Sequence, residues 1–401
     1  MPNVQFFPDV RENPPVNSKE YKVVRFALLL TGMSFRQYGR YSTEWDRFQL
    51  IRLGCAIVYL LFALYISFRI VVVMLMHDDS PDASGMTQLI MGVLLYLKAF
   101  ISMIFLFYWE LRSRNQYAME LTLNLRPERM FSRKRNDWPK YLAWAGFALI
   151  IVLRLASRLI LVVGHATDKH RGHQGQFVDY ELFSAPFGRQ FGSGCTIVFV
   201  LHSFFVDYAA LFVFLMTSFS LRYRVLFLKC ELEQLGEGGK YETTVGFYEG
   251  FRNLMLVIQN VLNHFQFYRV IELISSVGIL GIAVICFTLI GHKEWYDFLL
   301  LIMEVAIQTV SIFLLIYPVS AIYNTVNNVK GIIYFNTNLW KDYNQHIYEL
   351  SKLYTEMAAL TLQEISVWGF SMAKKKPLCV TGSFIGTLFF VLYTKVLAPS
   401  M

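Results

Sequence analysis

Six ionisable or amide side chains lie inside long apolar stretches of the sequence, where a charge is costly to bury. We take them as ligand-pocket candidates: Arg154, Arg158, His202, Asp207, Glu304 and Gln308. Arg154 and Arg158 are four residues apart, as are Glu304 and Gln308, so each pair shares one helix face. Such residues in a membrane span mark binding sites or paired networks. Two hypotheses follow: ion pairs such as Arg154 with Asp207 and Arg158 with Glu304, or an outward-open polar cavity that binds a small polar ligand.

A second set of polar side chains lies in the last apolar stretch. Ser383, Thr387 and Thr394 are spaced i, i+4 and i+11 and form one hydroxyl-bearing stripe on a helix. Gly382 and Gly386 form a G-x-x-x-G step beside that stripe, which permits close helix approach. The stripe is typical either of helix packing within one subunit or of a pore-lining helix repeated around an oligomer axis.

The chain carries no catalytic motif. It has no Walker loop, nucleophile elbow, HExxH or glycine-rich dinucleotide turn, so we predict that it is not an enzyme and needs no cofactor. His165, Asp168, His170 and His173 are close in sequence, but nothing fixes their geometry, and we predict no metal site.

Composition indicates a protein dissolved in lipid. Of 401 residues, 55% are hydrophobic and only 16% are charged, against roughly 25% charged in soluble domains. Spanning helices need about 20 mainly apolar residues. Seven windows qualify: Leu53–Met76, Met86–Trp109, Tyr141–Val163, Cys195–Leu221, Val270–Ile290, Phe298–Ile322 and Pro377–Val396. We therefore predict an all-α, multi-pass membrane protein with seven transmembrane helices.

Lysine and arginine crowd one side of the predicted spans. The segment before the first span and the three alternate connections hold 28 of them, and the opposite side holds five. The positive-inside rule puts the N-terminus in the cytoplasm and the C-terminus outside, the inverse of a G-protein-coupled receptor. The +8 net charge is thus a membrane-topology signal and predicts no nucleic-acid partner. The predicted regions are a cytoplasmic segment 1–52, a transmembrane domain 53–396 and an extracellular tail 397–401.

Two inner connections carry narrow apolar stripes at helical spacing. One stripe is Phe247, Phe251, Leu254, Ile258, Val261, Phe265 and Tyr268; the other is Tyr343, Ile347, Leu350, Tyr354 and Met357. We interpret them as cytoplasmic extensions of the fifth and seventh spans, which pack into a helical anchor formed by about 222–269 and 323–376. Amphipathic helices lying on the membrane surface are the alternative.

Three segments carry a resemblance to a known family. ALLLTGMSF (27–35) looks like a short amphipathic helix before the first span, and LTLQEISVWGF (360–370) is similar to a stretch that enters a last span. TLFFVLYT (387–394) keeps Thr387 of a Thr-Tyr, four apolar, Gln-Phe signature, with Leu388, Tyr393 and Thr394 replacing the other three. With the seven-span layout, the chain resembles a divergent insect gustatory receptor or a gustatory receptor-like protein of the seven-helix insect chemoreceptor superfamily.

The resemblance implies a taste-type ligand-gated cation channel in the plasma membrane. It implies a homo- or hetero-tetramer with related subunits, embedded in membrane lipid, a last helix around a central pore and an outward pocket for a tastant. Lys395 at the outer end of that helix fits cation selectivity poorly, because four lysines there would repel cations. A secondary transporter or scramblase-like protein remains the alternative.

The orientation can be tested directly. We expect an epitope tag before Met1 to be stained only in permeabilised cells, and a tag after Met401 to be stained on intact cells. Staining of both tags on intact cells would mean an even number of crossings and would overturn the seven-span prediction.

Overall fold

A computed structural model describes most of the chain as long helices. The described residues are 19–32, 47–76, 83–111, 138–167, 189–234, 241–289, 295–335, 345–364, 366–367 and 370–371. They form helices α1 (Lys19–Leu30), α2 (Arg47–Met76), α3 (Ala83–Leu111), α4 (Trp138–Thr167), α5 (Arg189–Gln234), α6 (Tyr241–Leu289), α7 (Trp295–Phe335) and α8 (Gln345–Glu364). Strands β1 (Ser366–Val367) and β2 (Phe370–Ser371) form one short antiparallel pair.

The helical character predicted from the sequence is confirmed, and several of the helices are apolar. Among the described side chains, three stretches are long and apolar enough to cross a bilayer: Phe204–Lys229, Gly250–Ile285 and Leu299–Ile333. Apolar side chains on α2 and α4 also point away from the protein: Val58, Phe68, Val152 and Leu155 are each 59–66% exposed. Exposed apolar rows of this kind suit a lipid environment. The count of seven and the orientation stay predictions.

Three helices run well beyond the apolar windows that predicted them. α5 continues from Leu221 to Gln234, α6 begins at Tyr241 rather than near Val270, and α7 continues past Ile322 to Phe335. Apolar residues keep helical spacing beyond the edges of these windows. There the apolar side chains are buried against other helices of the protein rather than by lipid. Hydropathy alone therefore marks where a helix lies in lipid and not where it ends.

The core lies where α3, α5, α6 and α7 meet. α3 packs on α5 and α6, α7 packs on α5 and α6, and α4 covers the outer side of α7. An aromatic cluster joins α3, α5 and α6. It comprises Phe105, Trp109, Phe214, Phe265 and Tyr268, with ring centroids of touching pairs 4.6–5.8 Å apart. All five side chains are at most 5% exposed, so this cluster fixes the spacing of the three helices.

α1 packs against α5 ahead of the first predicted span. It begins at Lys19, eight residues before the Ala27 start of the predicted amphipathic segment, and it buries Val24 and Leu28. Gly32 ends it in the left-handed region at φ 70°, and its N–H donates to the Leu29 carbonyl at 3.0 Å. Such a glycine cap satisfies the last helix carbonyls without a Cβ clash. Arg25 also binds Glu110 at the end of α3, at 2.7 Å.

The two amphipathic stripes meet each other. Phe251, Leu254, Ile258, Val261, Phe265 and Tyr268 are at most 4% exposed on α6. Tyr354 of α8 is 2% exposed, and its ring centroid lies 5.2 Å from that of Phe251. α8 packs on both α6 and α7. Phe247 has no described side chain, and Tyr343 lies outside the described residues.

α8 does not continue into the seventh predicted span as a single helix. It ends at Glu364, and the pairing of Ser366 with Ser371 and of Val367 with Phe370 follows. Serine, β-branched valine and a nearby glycine all lower helix propensity, which accounts for the break. The seventh window, Pro377–Val396, lies outside the described residues together with its pore-lining candidates Ser383, Thr387 and Thr394 and its packing glycines Gly382 and Gly386.

Two phenylalanines two positions apart on α6 provide a test of the core. Phe265 is fully buried in the aromatic cluster, whereas Phe267 is 65% exposed. We expect Phe265→Ala to destabilise the fold by about 3–5 kcal/mol, the usual result of truncating a buried aromatic ring. The matched control Phe267→Ala should change stability little. Thermal unfolding of the purified protein checks both, and equal losses would show that the α6 face is assigned wrongly.

Candidate functional site

Buried charges from five helices form one connected network. Its members are Lys98 and Ser102 on α3, Arg154 on α4, Asp207 and Tyr208 on α5, Glu272 and Ser276 on α6, and Glu304 and Gln308 on α7. We call it the buried charge network. Its five charged residues are each at most 8% exposed.

The α4–α7 half of the network is a two-pronged ion pair. Arg154 donates from both terminal nitrogens to Glu304, with Nη1 2.5 Å from Oε2 and Nη2 3.1 Å from Oε1. Arg154 Nε donates to the Tyr208 hydroxyl at 2.8 Å, and Gln308 Nε2 donates to Glu304 Oε1 at 2.6 Å. The guanidinium also lies over the Phe204 ring, 4.8 Å from its centroid. Bidentate geometry with the further donor from Gln308 is what the buried Glu304 carboxylate needs to stay charged.

Lys98 is the centre of the other half. Its Nζ lies 2.5 Å from Glu272 Oε1 and 3.7 Å from Asp207 Oδ2. It also donates to Ser276 Oγ and to Gln308 Oε1, both at 3.4 Å. Ser102 donates to Asp207 Oδ1 at 2.6 Å. One ammonium therefore faces two carboxylates, a hydroxyl and an amide from three other helices.

Gln308 joins the two halves. Its amide nitrogen donates to Glu304, and its amide oxygen accepts from Lys98. The side chain is fully buried. A carboxylate at this position could not do both, because it has no donor, and this explains a neutral amide between two ion pairs.

Most of the ligand-pocket candidates come together in this network. Arg154, Asp207, Glu304 and Gln308 are all members of it. Arg158 lies one turn after Arg154 on α4, and its side chain is outside the described part of the chain. Whether these residues bind a ligand remains a proposal.

His202 makes a different contact. It lies on α5 and is bound to the hydroxyl of Tyr59 on α2 through Nδ1, with the two rings edge to face at 66° and 4.6 Å. This contact ties α2 to α5. Within the described residues, no hydrogen bond joins His202 to the buried charge network.

The expected pairing of Arg154 with Asp207 is wrong. Arg154 pairs with Glu304, and Asp207 pairs with Lys98 and Ser102. The reason is packing: α4 lies along α7 over a long interface and touches α5 only slightly. A sequence places a charge on a helix face, but the choice of partner depends on which helices are neighbours.

Sequence reasoning missed five members of the network as site residues. Glu272, Lys98, Ser102, Ser276 and Tyr208 were not among the candidates. Lys98 lies inside the predicted second span and Glu272 at the third position of the predicted fifth span, so the rule on ionisable residues in spans applies to both. The serines and Tyr208 carry no sequence signal that separates them from other polar residues in apolar helices.

A double-mutant cycle tests the Arg154–Glu304 pair. We expect Arg154→Leu to cost about 3–5 kcal/mol, because it leaves a buried carboxylate without its counter-charge. The double variant Arg154→Leu/Glu304→Leu should recover part of that loss. Thermal unfolding of the wild type, Arg154→Leu, Glu304→Leu and the double variant gives the coupling free energy. Additive losses would mean that the two side chains do not interact.

Known proteins resemble this chain in fold and not in sequence. No protein-family model and no curated protein matches the chain. A solved structure of the insect olfactory receptor OR5 from Machilis hrabei is similar, with a TM-score of 0.68 and 11% identity over 93% of this chain and 97% of that one. The same receptor in complex with eugenol gives a TM-score of 0.66 and 11% identity over 93% and 98% of the two chains. The chain therefore has the fold of an insect olfactory receptor.

Proposed function

We propose that this protein is a chemosensory receptor that acts as a ligand-gated cation channel subunit of the taste type. The observation that carries the proposal is the fold shared with OR5 across nearly the full length of both chains. That receptor has been solved with the small molecule eugenol. A fold shared end to end supports the same general role for this chain, a membrane receptor for a small ligand.

The buried charge network is the proposed ligand site. Its residues come from five helices, so a ligand that contacts several of them can shift those helices relative to one another. Ionisable groups inside spans are costly to keep without a function. A polar network also suits a polar tastant better than an apolar odorant, because buried donors and acceptors reject ligands that cannot pair with them.

The pore and the assembly form the rest of the proposal. We propose seven spans, a cytoplasmic N-terminus and plasma-membrane location, with four subunits around a central pore. Ser383, Thr387 and Thr394 would line that pore, and Gly382 and Gly386 would allow close helix approach. The packed ends of α6, α7 and α8 would form the cytoplasmic anchor between subunits. The buried aromatic contact of Phe251 with Tyr354 supports a rigid anchor.

A secondary transporter is the second candidate. The observation in its favour is the same network, since linked carboxylates and basic groups within spans also occur in proton- and ion-coupled carriers. The two candidates differ in their currents. A channel gives discrete single-channel openings when ligand is applied, whereas a transporter moves substrate without them.

Electrophysiology tests the channel. We expect cells that express the chain, alone or with a related co-receptor, to show ligand-evoked cation currents across a panel of sugars, bitter compounds, amines and metabolites. Surface staining of the receptor provides the expression control. Silence across the panel despite confirmed surface expression would overturn the proposal.

The pore helix has its own test. In a responsive cell, Thr387→Cys should make the current sensitive to a charged thiol reagent, because the proposed stripe faces water. Phe389→Cys is the matched control, since two residues along a helix turns the side chain to the opposite face. Equal block of both variants, or block of neither, would remove Thr387 from the pore.

A further inference from the structure

The charges of the buried network do not balance. It holds two basic groups, Lys98 and Arg154, and three carboxylates, Asp207, Glu272 and Glu304. All five residues are at most 8% exposed, and Asp207, Glu272 and Glu304 lie in stretches long and apolar enough to cross a bilayer. Among the described side chains of this network, the formal charge is therefore minus one. An isolated charge is very costly at such a place, so a further positive charge should accompany it.

The surplus negative charge can be assigned to one half of the network. Glu304 is saturated, because Arg154 binds both its oxygens and Gln308 adds a third bond. Arg154 and Glu304 thus form a neutral pair. What remains is Lys98 with Asp207 and Glu272, a single ammonium between two carboxylates.

The geometry at Lys98 is unequal. Its ammonium lies 2.5 Å from Glu272 but 3.7 Å from Asp207, which is beyond hydrogen-bond distance. Asp207 Oδ1 accepts from Ser102, and Oδ2 has only the long contact to Lys98 among the described residues. Asp207 is therefore the carboxylate with an acceptor oxygen still available.

An unpartnered hydroxyl lies one helical turn from Glu272. The Tyr268 side chain is 1% exposed, and its phenol oxygen makes no hydrogen bond within the described residues. Tyr268 lies one turn before Glu272 on the same face of α6. Its ring stacks on Phe105 at 4.7 Å. The structure thus brings together two carboxylates with surplus charge, a free phenol oxygen and two aromatic rings.

We propose that the Lys98–Asp207–Glu272 half of the network binds the ammonium group of a small organic amine. An ammonium supplies the missing positive charge and three N–H donors, which suit Asp207 Oδ2 and the Tyr268 hydroxyl. The rings of Phe105 and Tyr268 suit an attached hydrocarbon and can also stabilise a cation. The inference rests on the proposed role of this network as the ligand site and names the class of ligand.

Ligand-dependent stability tests the proposal without any need for channel activity. The full-length protein is purified into nanodiscs of neutral lipid and unfolded thermally with 2-phenylethylamine or 2-phenylethanol, or with sodium chloride at matched ionic strength. At pH 7 alkylamines are protonated. A ligand that binds only the folded protein raises its unfolding temperature. We expect a concentration-dependent rise with the amine and none with the alcohol or the salt.

Two variants with opposite expected effects on amine affinity, and one control variant, test whether the amine binds at this half of the network. Glu272→Gln removes the surplus charge and should weaken the apparent affinity for the amine at least tenfold. Glu356→Gln is the matched control, because Glu356 is an exposed carboxylate on α8 that pairs only loosely with Lys352 at 4.0 Å. Lys98→Ala deepens the surplus and empties the ammonium position, so it should bind the amine at least tenfold more tightly. If Lys98→Ala folds only when the amine is present, that rescue supports the proposal.

Three outcomes would overturn the inference. Equal stabilisation by sodium chloride would mean that an inorganic cation occupies the site. No stabilisation by the amine would mean that a proton carries the missing charge. Stabilisation that survives Glu272→Gln would place the amine elsewhere.

Failure of the channel assignment gives a different pattern. Amine binding without any ligand-evoked current would contradict the proposed channel and leave the amine site intact. Currents evoked only by neutral compounds, with no amine binding, would contradict the amine site and leave the channel intact.

Discussion

The constraint that organises this molecule is the cost of burying a charge away from water. Arg154 and Lys98 have no water to solvate them, so each must find carboxylates on neighbouring helices. Satisfying them fixes the relative height of α3, α4, α5, α6 and α7, because an ion pair 2.5 Å long tolerates little sliding. Apolar packing alone would tolerate small shifts along the helix axes far better. The network thus sets the helix register that the aromatic cluster then packs around.

The same constraint makes the network suitable for recognition. Every donor that a ligand displaces must be replaced, and every unmatched group on the ligand is penalised. A site built in this way discriminates by charge and hydrogen bonding more than by shape. The second carboxylate beside Lys98 would give the proposed site a preference for positively charged ligands. The hydrogen bond between His202 and Tyr59 ties α2 to the same group of helices.

The sequence could predict which residues belong to the site better than it could predict how they pair. Asp207, Glu304 and Gln308 were identifiable because a polar residue among twenty apolar ones is conspicuous, and Glu272 was identifiable by the same rule although it was overlooked. Which cation meets which carboxylate could not be predicted, since it depends on α4 lying along α7 rather than α5. Hydropathy placed the spanning segments of α5, α6 and α7 but not their ends, because beyond the lipid the same helical spacing is buried by protein. The break after Glu364 depended on local propensity, which a search for apolar stripes does not weigh.

The uninterrupted length of α6 has a mechanical consequence. Its 49 residues make a rod about 74 Å long at 1.5 Å per residue, more than twice the thickness of a hydrocarbon core. Glu272, in the charge network, and Phe251, against Tyr354 of α8, are fixed to the same rod about 32 Å apart. A tilt or axial shift imposed at one of these points reaches the other without passing through any loop. Because no loop lies between them, the charge network and the contact of α6 with α8 move as one body.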